Sequence, residues 1–315
     1  MTRDPGASVT SEPTRGRSSP EGYPEHLREL VESYLRALRF SRESLTAGLE
    51  EAMRYSLLAG GKRIRPVLAL ATADAVGLRQ RDLLPLAGAI ELIHTYSLIH
   101  DDLPAMDDDE LRRGMPTCHV KYGEDVAILA GDGLYAEAFR HLLTHQQAAP
   151  ERVLAAAAEL AAATGVDGMV GGQYADVSGR VPAGPEALRR LHELKTGRLI
   201  AASVICVLLL GAVDGPATMG FRRFAAELGV LFQIVDDILD VTGTDAALGK
   251  PQGSDERHGK RTYVSEFGIQ RARELAAESH RTAREALAQA AAAIGSEHAA
   301  AELEQITDFI YTRTS

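Results

Sequence analysis

From Glu25 onward, apolar residues recur every three or four positions, and no run alternates apolar with polar between turn signals. A recurrence near 3.6 belongs to helices and one of 2 to strands, so this pattern confines the chain to helices and their connections. Leu27, Leu30, Val31, Tyr34, Leu35 and Leu38 set the spacing. Residues 43–58 repeat it and stop at Gly60-Gly61, a helix terminator. Pro66 then suits the first turn of the next helix. The stretch 82–103 is apolar on most faces, and helical patterns continue over 118–145, 151–175, 185–212, 217–242, 263–294 and 297–312. Loops are expected at 104–117, 176–184 and 243–262. Abundant Ala and Leu, few aromatics and no Trp favour helix as well. No repeat of 20–50 residues is present. The expected fold is therefore all-α, a single domain of about ten helices over residues 23–315. Residues 1–22, rich in Pro, Gly, Ser, Thr and charge, are expected to form a disordered tail. Asp4, Glu12 and Glu21 sit badly with an acidic-poor transit peptide.

The bulk numbers exclude several classes. With 315 residues, 45% hydrophobic and 25% charged, the composition is that of a globular protein. A net charge of −10 and the lack of a basic stripe with interleaved aromatics argue against a nucleic-acid partner. Cys118 and Cys206 are far apart and make neither a metal spacing nor a disulfide framework. That favours a reducing, cytoplasmic compartment. The longest apolar run, Leu199 to Val213, is shorter than the ~20 residues a membrane span needs, so it reads as a buried core helix.

Two aspartate clusters carry the chemistry. Asp101-Asp102-Leu103-Pro104-Ala105-Met106-Asp107 and Asp236-Asp237-Ile238-Leu239-Asp240 each end a long apolar stretch. Carboxylates this dense repel one another and shift toward protonation unless a cation intervenes. Hard oxygen clusters suit Mg²⁺ shared with substrate phosphates. In the second cluster Asp236 and Asp240 share a helical face, and Asp237 is offset by about 100°. In the first, Asp101 and Asp107 cannot share a regular helical face. Pro104 biases the preceding residues away from helix, so the helix ends near Asp102 or Leu103 and a short loop returns Asp107 toward Asp101.

Cations gather around these motifs. Arg112 and Arg113 either fork onto a phosphate or neutralise the acidic loop. Gly60-Gly61-Lys62-Arg63-Ile64-Arg65-Pro66 is a second basic turn and is not a P-loop, because Arg63 stands where Ser or Thr is required and position 57 is Leu. Lys195, Lys250 and Lys260 complete the set. His94, two helical turns before Asp101, is either a satisfied core histidine or a donor to a phosphate oxygen. Two acidic walls with several cationic fingers suit a diphosphate held through magnesium.

The same residues resemble the trans-prenyltransferases, the isoprenyl diphosphate synthases. GGKRIRP (60–66), HTYSLIHDDLPAMDDDELRRGMPTCH (94–119), AGDGL (130–134), GGQ (171–173), KTG (195–197), FQIVDDILD (232–240) and GK (249–250 and 259–260) occur in the family's order. The resemblance runs from about Leu27 to the C-terminus. It implies a bundle of antiparallel helices around a central cavity, usually a homodimer, with three Mg²⁺ ions between the two Asp motifs and an allylic diphosphate. Carried over residue by residue, Asp101, Asp107 and Asp236 are direct metal ligands, supported by Asp102 and Asp240. Arg112, Lys195, Thr196, Gln233, Lys250 and Lys260 match the allylic diphosphate site. Lys62, Arg65, His94 and Arg113 match the isopentenyl diphosphate site. The implied activity is head-to-tail condensation of isopentenyl diphosphate with allylic diphosphates. A catalytically silent partner subunit usually loses an Asp motif, and both are intact here.

Chain length is set, in this family, by the cavity floor below the first Asp motif. Tyr96 and Ser97 lie five and four residues before Asp101, about 6–7.5 Å along the helix. A Tyr there either stops a growing chain or turns into the core. An aromatic at this position resembles the bacterial farnesyl type, so farnesyl diphosphate is the expected product, with a geranylgeranyl or longer product as the alternative.

Overall fold

The computed structural model describes residues 22–243, 260–295 and 300–313. The expected tail 1–22 falls almost wholly outside them, as does Lys250. The fold is all-α. In chain order the helices are α1 (Glu25–Ala37), α2 (Ala47–Leu57), α3 (Ile64–Ala75), α4 (Leu84–Asp101), α5 (Cys118–Tyr122), α6 (Glu124–His145), α7 (Pro150–Thr164), α8 (Met169–Ser178), α9 (Pro185–His192), α10 (Arg198–Gly211), α11 (Pro216–Thr242), α12 (Tyr263–Ala293) and α13 (Ala301–Thr312).

These segments outnumber the expected ten helices because three of the long patterns are divided. Gly123, at φ 94°, separates α5 from α6. Gly165 and Gly168 separate α7 from α8. A π-helical turn, Glu193–Gly197, joins α9 to α10. A second departure lies in the expected loop 104–117. There Leu111–Arg112 and Met115–Pro116 pair as a minimal antiparallel hairpin, too short to register as alternation. The loop expected at 176–184 begins later, since α8 runs through Ser178.

α4 is the central helix. It is apolar around its circumference and packs against α3 and α6, with α1 and α2 also in contact. A helix that is hydrophobic all round must be buried, and α4 is. It stops at Asp101, three residues before Pro104, as the proline predicts. The longest antiparallel pair is α11 with α12, joined through Phe221, Phe224, Leu228 and Leu231 on one side and Ala272, Ala276, Ala283 and Leu287 on the other. A reciprocal capping box starts α12: Ser265 N donates to Thr262 Oγ1 at 3.0 Å and Thr262 N to Ser265 Oγ at 2.9 Å.

The uninterrupted run in α10 falls short of a membrane span, yet two broken stretches, Pro150–Ser178 and Pro185–Gly211, reach that length and composition. α10 itself is packed between α7, α11 and α3, the environment of a core helix.

Candidate active site

α4 and α11 place their acidic ends on one cavity of about 610 Å³, lined by Asp101 from the first cluster and Asp236 from the second. The expected return of the loop takes place. Asp107 N donates to Asp101 O at 2.9 Å, which brings the third aspartate of the motif beside the first. Lys260 Nζ then donates to Asp107 Oδ2 at 2.8 Å. Burial pushes the Asp101 carboxyl up to about 6; Lys195 opposes the shift and Asp107 adds to it.

The remaining acids of the two clusters turn elsewhere. Asp102 is buried and receives Arg112 Nε at 2.7 and 2.9 Å and Nη2 at 2.5 Å. Arg112 also reaches Asp109. Burial works against the Arg112 charge, but Asp102 outweighs it and holds the guanidinium pKa up. Arg112 therefore does both things the sequence left open: it neutralises the acidic loop and lines the cavity. Asp240 is buried and is not part of the cavity wall. Asp237, 1% exposed, accepts from Gln233 Nε2 and from Tyr263 N, both at 2.7 Å. It thus ties α11 to the first turn of α12 just after Lys260. Its 100° offset from Asp236 was the signal that it faces inward.

The basic turn separates into parts with different tasks. Arg63, 3% exposed and in the left-handed conformation, points into the protein. It donates to Glu32 Oε1 at 2.7 Å, to Glu91 Oε1 at 2.5 Å and to Leu57 O at 2.7 Å. Arg65 lines the cavity instead. Its Nη1 lies 3.3 Å from His94 Nε2, and its guanidinium sits 5.5 Å from the Phe232 ring centre. Burial lowers the Arg65 pKa to about 10, which leaves it charged. Burial, then the nearby guanidinium of Arg65, push His94 well below the usual imidazole range, so it is neutral. Arg113 Nη1 donates to Gly60 O, and the space beside Gly61 is filled by that guanidinium: a Cβ there would lie 2.6 Å from Arg113 Cζ. Lys62 is exposed, over the Phe309 ring at 5.2 Å, and does not line the cavity.

On the opposite side, Lys195 Nζ donates to Asp176 Oδ2 at 2.6 Å. Burial alone would lower its pKa, but Asp176 and Asp101 together raise it. Thr196 Oγ1 donates to Gln233 Oε1 at 2.9 Å, and Gln233 in turn holds Asp237. Lys195 and Thr196 belong to the π turn; such turns occur often at functional sites. Asp176 went unnoticed in the sequence, as did Arg313, whose guanidinium lies 4.8 Å from the Phe232 ring centre. A lone Asp in a helix and a lone Arg after the last helix carry no pattern of their own.

Tyr96 lines the cavity while only 9% exposed. It packs edge-on against Tyr135 at 4.9 Å and His100 at 5.6 Å, so its ring is fixed in the wall rather than folded away from it. Ser97 also lines the cavity and donates to His94 O at 2.9 Å.

The donor set fits magnesium. Among the described residues no cluster of three or more His, Cys, Asp or Glu forms a ready-made metal cage. Mg²⁺ is usually held by one or two carboxylates together with substrate phosphates, so separate acids on two facing walls suit it.

The polyprenyl synthetase family model matches residues 46–303. Geranylgeranyl pyrophosphate synthase of Capsicum annuum, a chloroplastic enzyme, is 49% identical over 242 residues, 76% of this chain and 66% of its own length. Geranylgeranyl pyrophosphate synthase 3 of Arabidopsis thaliana, also chloroplastic, is 42% identical over 302 residues, 90% of this chain and 83% of its own length. Among solved structures, the geranyltransferase of Helicobacter pylori complexed with magnesium and isoprenyl diphosphate superposes with a TM-score of 0.81 at 32% identity, covering 95% of this chain and 98% of that one. An FPP/GFPP synthase from Zymomonas mobilis gives 0.79 at 33% identity, covering 91% and 96%. With the motifs, the helical fold and the cavity in agreement, the chain belongs to the polyprenyl synthetase family of prenyltransferases, the isoprenyl diphosphate synthases.

Proposed function

We propose that this chain condenses isopentenyl diphosphate with allylic diphosphates and that its main product is geranylgeranyl diphosphate. The observation that carries the reaction is the meeting of Asp101 and Asp236 with Arg65, Arg112, Arg113 and Lys195 around one cavity. The C20 product is supported by the names of the relatives described above, and it replaces the farnesyl product expected from Tyr96. Farnesyl diphosphate is the second reading, favoured by the fixed Tyr96 ring in the cavity wall.

The residue roles are those the motifs imply. Asp101, Asp107 and Asp236 would hold magnesium, expected as three ions, which would supply charge neutralisation for the departing pyrophosphate. Asp102 acts through Arg112, and Asp240 supports Asp236 from within α11. Arg112, Lys195 and Lys260, with Lys250 outside the described residues, attract the allylic diphosphate. Thr196 and Gln233 orient it. Arg65, Arg113 and neutral His94 receive the isopentenyl diphosphate, with Lys62 on the same basic turn outside the cavity wall. The allylic C–O bond breaks with its electron pair going to the pyrophosphate oxygen, where the cations lower the cost of the new charge. The π electrons of isopentenyl diphosphate form the new C–C bond, and the proton lost from the adduct passes to the released pyrophosphate. Apolar walls keep water from the cation.

The same reading takes the chain as one domain from 23 to 315 and as a cytoplasmic protein without a membrane span. It also takes it as a homodimer, with the exposed Ile128, Leu129 and Leu143 of α6 and Leu154 of α7 as the apolar surface a second copy would cover. Purified protein given Mg²⁺, labelled isopentenyl diphosphate and dimethylallyl, geranyl or farnesyl diphosphate tests the activity. Accumulation of C20 product is expected. Accumulation of C15 alone supports the second reading, and no elongation with any starter overturns both.

A further inference from the structure

Gln173 belongs to the cavity wall, yet neither its Oε1 nor its Nε2 has a hydrogen-bond partner, although both atoms are buried. A buried amide without partners is costly, and such groups persist where a ligand completes them. The amide is firmly placed. Gly172 lies so close to the π turn that a Cβ would enter the backbone of Lys195. Asp176, three residues after Gln173 on the same helix, accepts from Lys195 Nζ at 2.6 Å. A rise of 1.5 Å per residue puts Gln173 about 4.5 Å along α8 from Asp176. On α8 the wall runs Met169, Gln173 and Val177, an amide between apolar side chains.

This spacing matters for a substrate whose diphosphate is held by Lys195 and Arg112. One turn beyond the charged groups stand the first carbons of the allylic chain, where positive charge develops. We propose that Gln173 is a catalytic residue of the ionisation step, its Oε1 dipole turned toward the allylic carbons as the C–O bond breaks. No bond to Gln173 forms. The electron pair leaves with pyrophosphate, and the proton released later goes to pyrophosphate as well. An amide oxygen suits this task because it stabilises a cation without the basicity to take that proton. The proposal rests on the ionisation mechanism given above.

Gln173→Met tests it, since methionine keeps the length of the side chain and removes the amide. The expected result is a fall in kcat of about 100-fold, the order found when one preorganised dipole is lost from a transition state. KM for both diphosphates stays at the wild-type value. The thermal midpoint is equal or higher, because an unsatisfied amide has been removed. A structural role predicts the reverse, a lower midpoint and raised KM values, and that result overturns the inference. So does an unchanged kcat beside an active wild type. A wild-type chain that elongates no allylic diphosphate overturns the mechanism itself, and this inference falls with it.

Discussion

Replacing Arg63 by methionine removes the buried cation that bridges Glu32 and Glu91. The structure sets the size of the effect. Arg63 and Glu91 side chains are essentially inaccessible and Glu32 nearly so, and the guanidinium makes contacts of 2.7, 2.5 and 2.7 Å to Glu32, Glu91 and Leu57 O. Removing one partner of a buried pair strands charge in a low dielectric and costs about 3–5 kcal/mol. With an unfolding entropy of about 2.1 cal/mol/K per residue over 315 residues, the midpoint falls by roughly 5–8 °C. Scanning calorimetry with and without pyrophosphate and Mg²⁺ measures it. A second consequence is functional, because the same turn presents Lys62 and Arg65. KM for isopentenyl diphosphate rises while KM for the allylic substrate stays constant. Arg63→Met combined with Glu32→Gln and Glu91→Gln recovers much of the stability, since no unpaired charge remains. A midpoint for Arg63→Met within about 1 °C of wild type refutes the reasoning.

Tyr96→Ala opens the wall between Tyr135 and His100 and lengthens the product by at least one C5 unit; unchanged product on chromatography removes Tyr96 from the floor. His141 is buried, shares a 2.7 Å hydrogen bond with the Tyr34 hydroxyl and has its pKa lowered to about 4, chiefly by burial. Its folded value lies below the unfolded value near 6.5, so the unfolded chain binds more protons in between and stability falls as pH drops from about 6.5 to 4. His141→Gln flattens that part of the stability–pH curve by about 3 kcal/mol, and a slope identical to wild type in urea titrations contradicts the assignment. Asp237→Ala leaves Tyr263 N and Gln233 Nε2 without their acceptor and destabilises by about 1–3 kcal/mol. It also loosens the start of α12 beside Lys260, so KM for the allylic diphosphate rises; unaltered stability and KM would rule out this tie.

Much of this was readable from spacing alone. The 3.6 periodicity carries the helices, and Pro104 carries both the end of α4 and the return of Asp107 to Asp101. What spacing could not do was sort neighbours of one chemical type. Arg63 and Arg65 stand two residues apart with the same side chain, and only the left-handed backbone at Arg63 sends one inward and leaves the other at the cavity. Asp101 and Asp102 divide in the same way, since Arg112 captures the second. Asp236 and Asp237 could have been separated by the helical offset. The partners of that offset, Gln233 one turn earlier and Tyr263 on another helix, were out of reach. The 111–116 hairpin is too short for period-2 alternation, and the glycine breaks within two helical patterns and the π turn within a third were hidden by continuous apolar spacing. Product length depends on a wall built from several helices, of which the sequence reading used one position, Tyr96.

The central claim is that acids from α4 and α11 grip one pyrophosphate through divalent ions. A crystal structure with pyrophosphate and Mn²⁺ in place of Mg²⁺ tests it most directly, because anomalous scattering locates the metal. The account predicts manganese peaks beside Asp101 and Asp107 and beside Asp236, with the pyrophosphate between them and within reach of Lys195 and Arg112. Manganese confined to the exposed acids Asp108 and Glu110, with pyrophosphate elsewhere or absent, would contradict it.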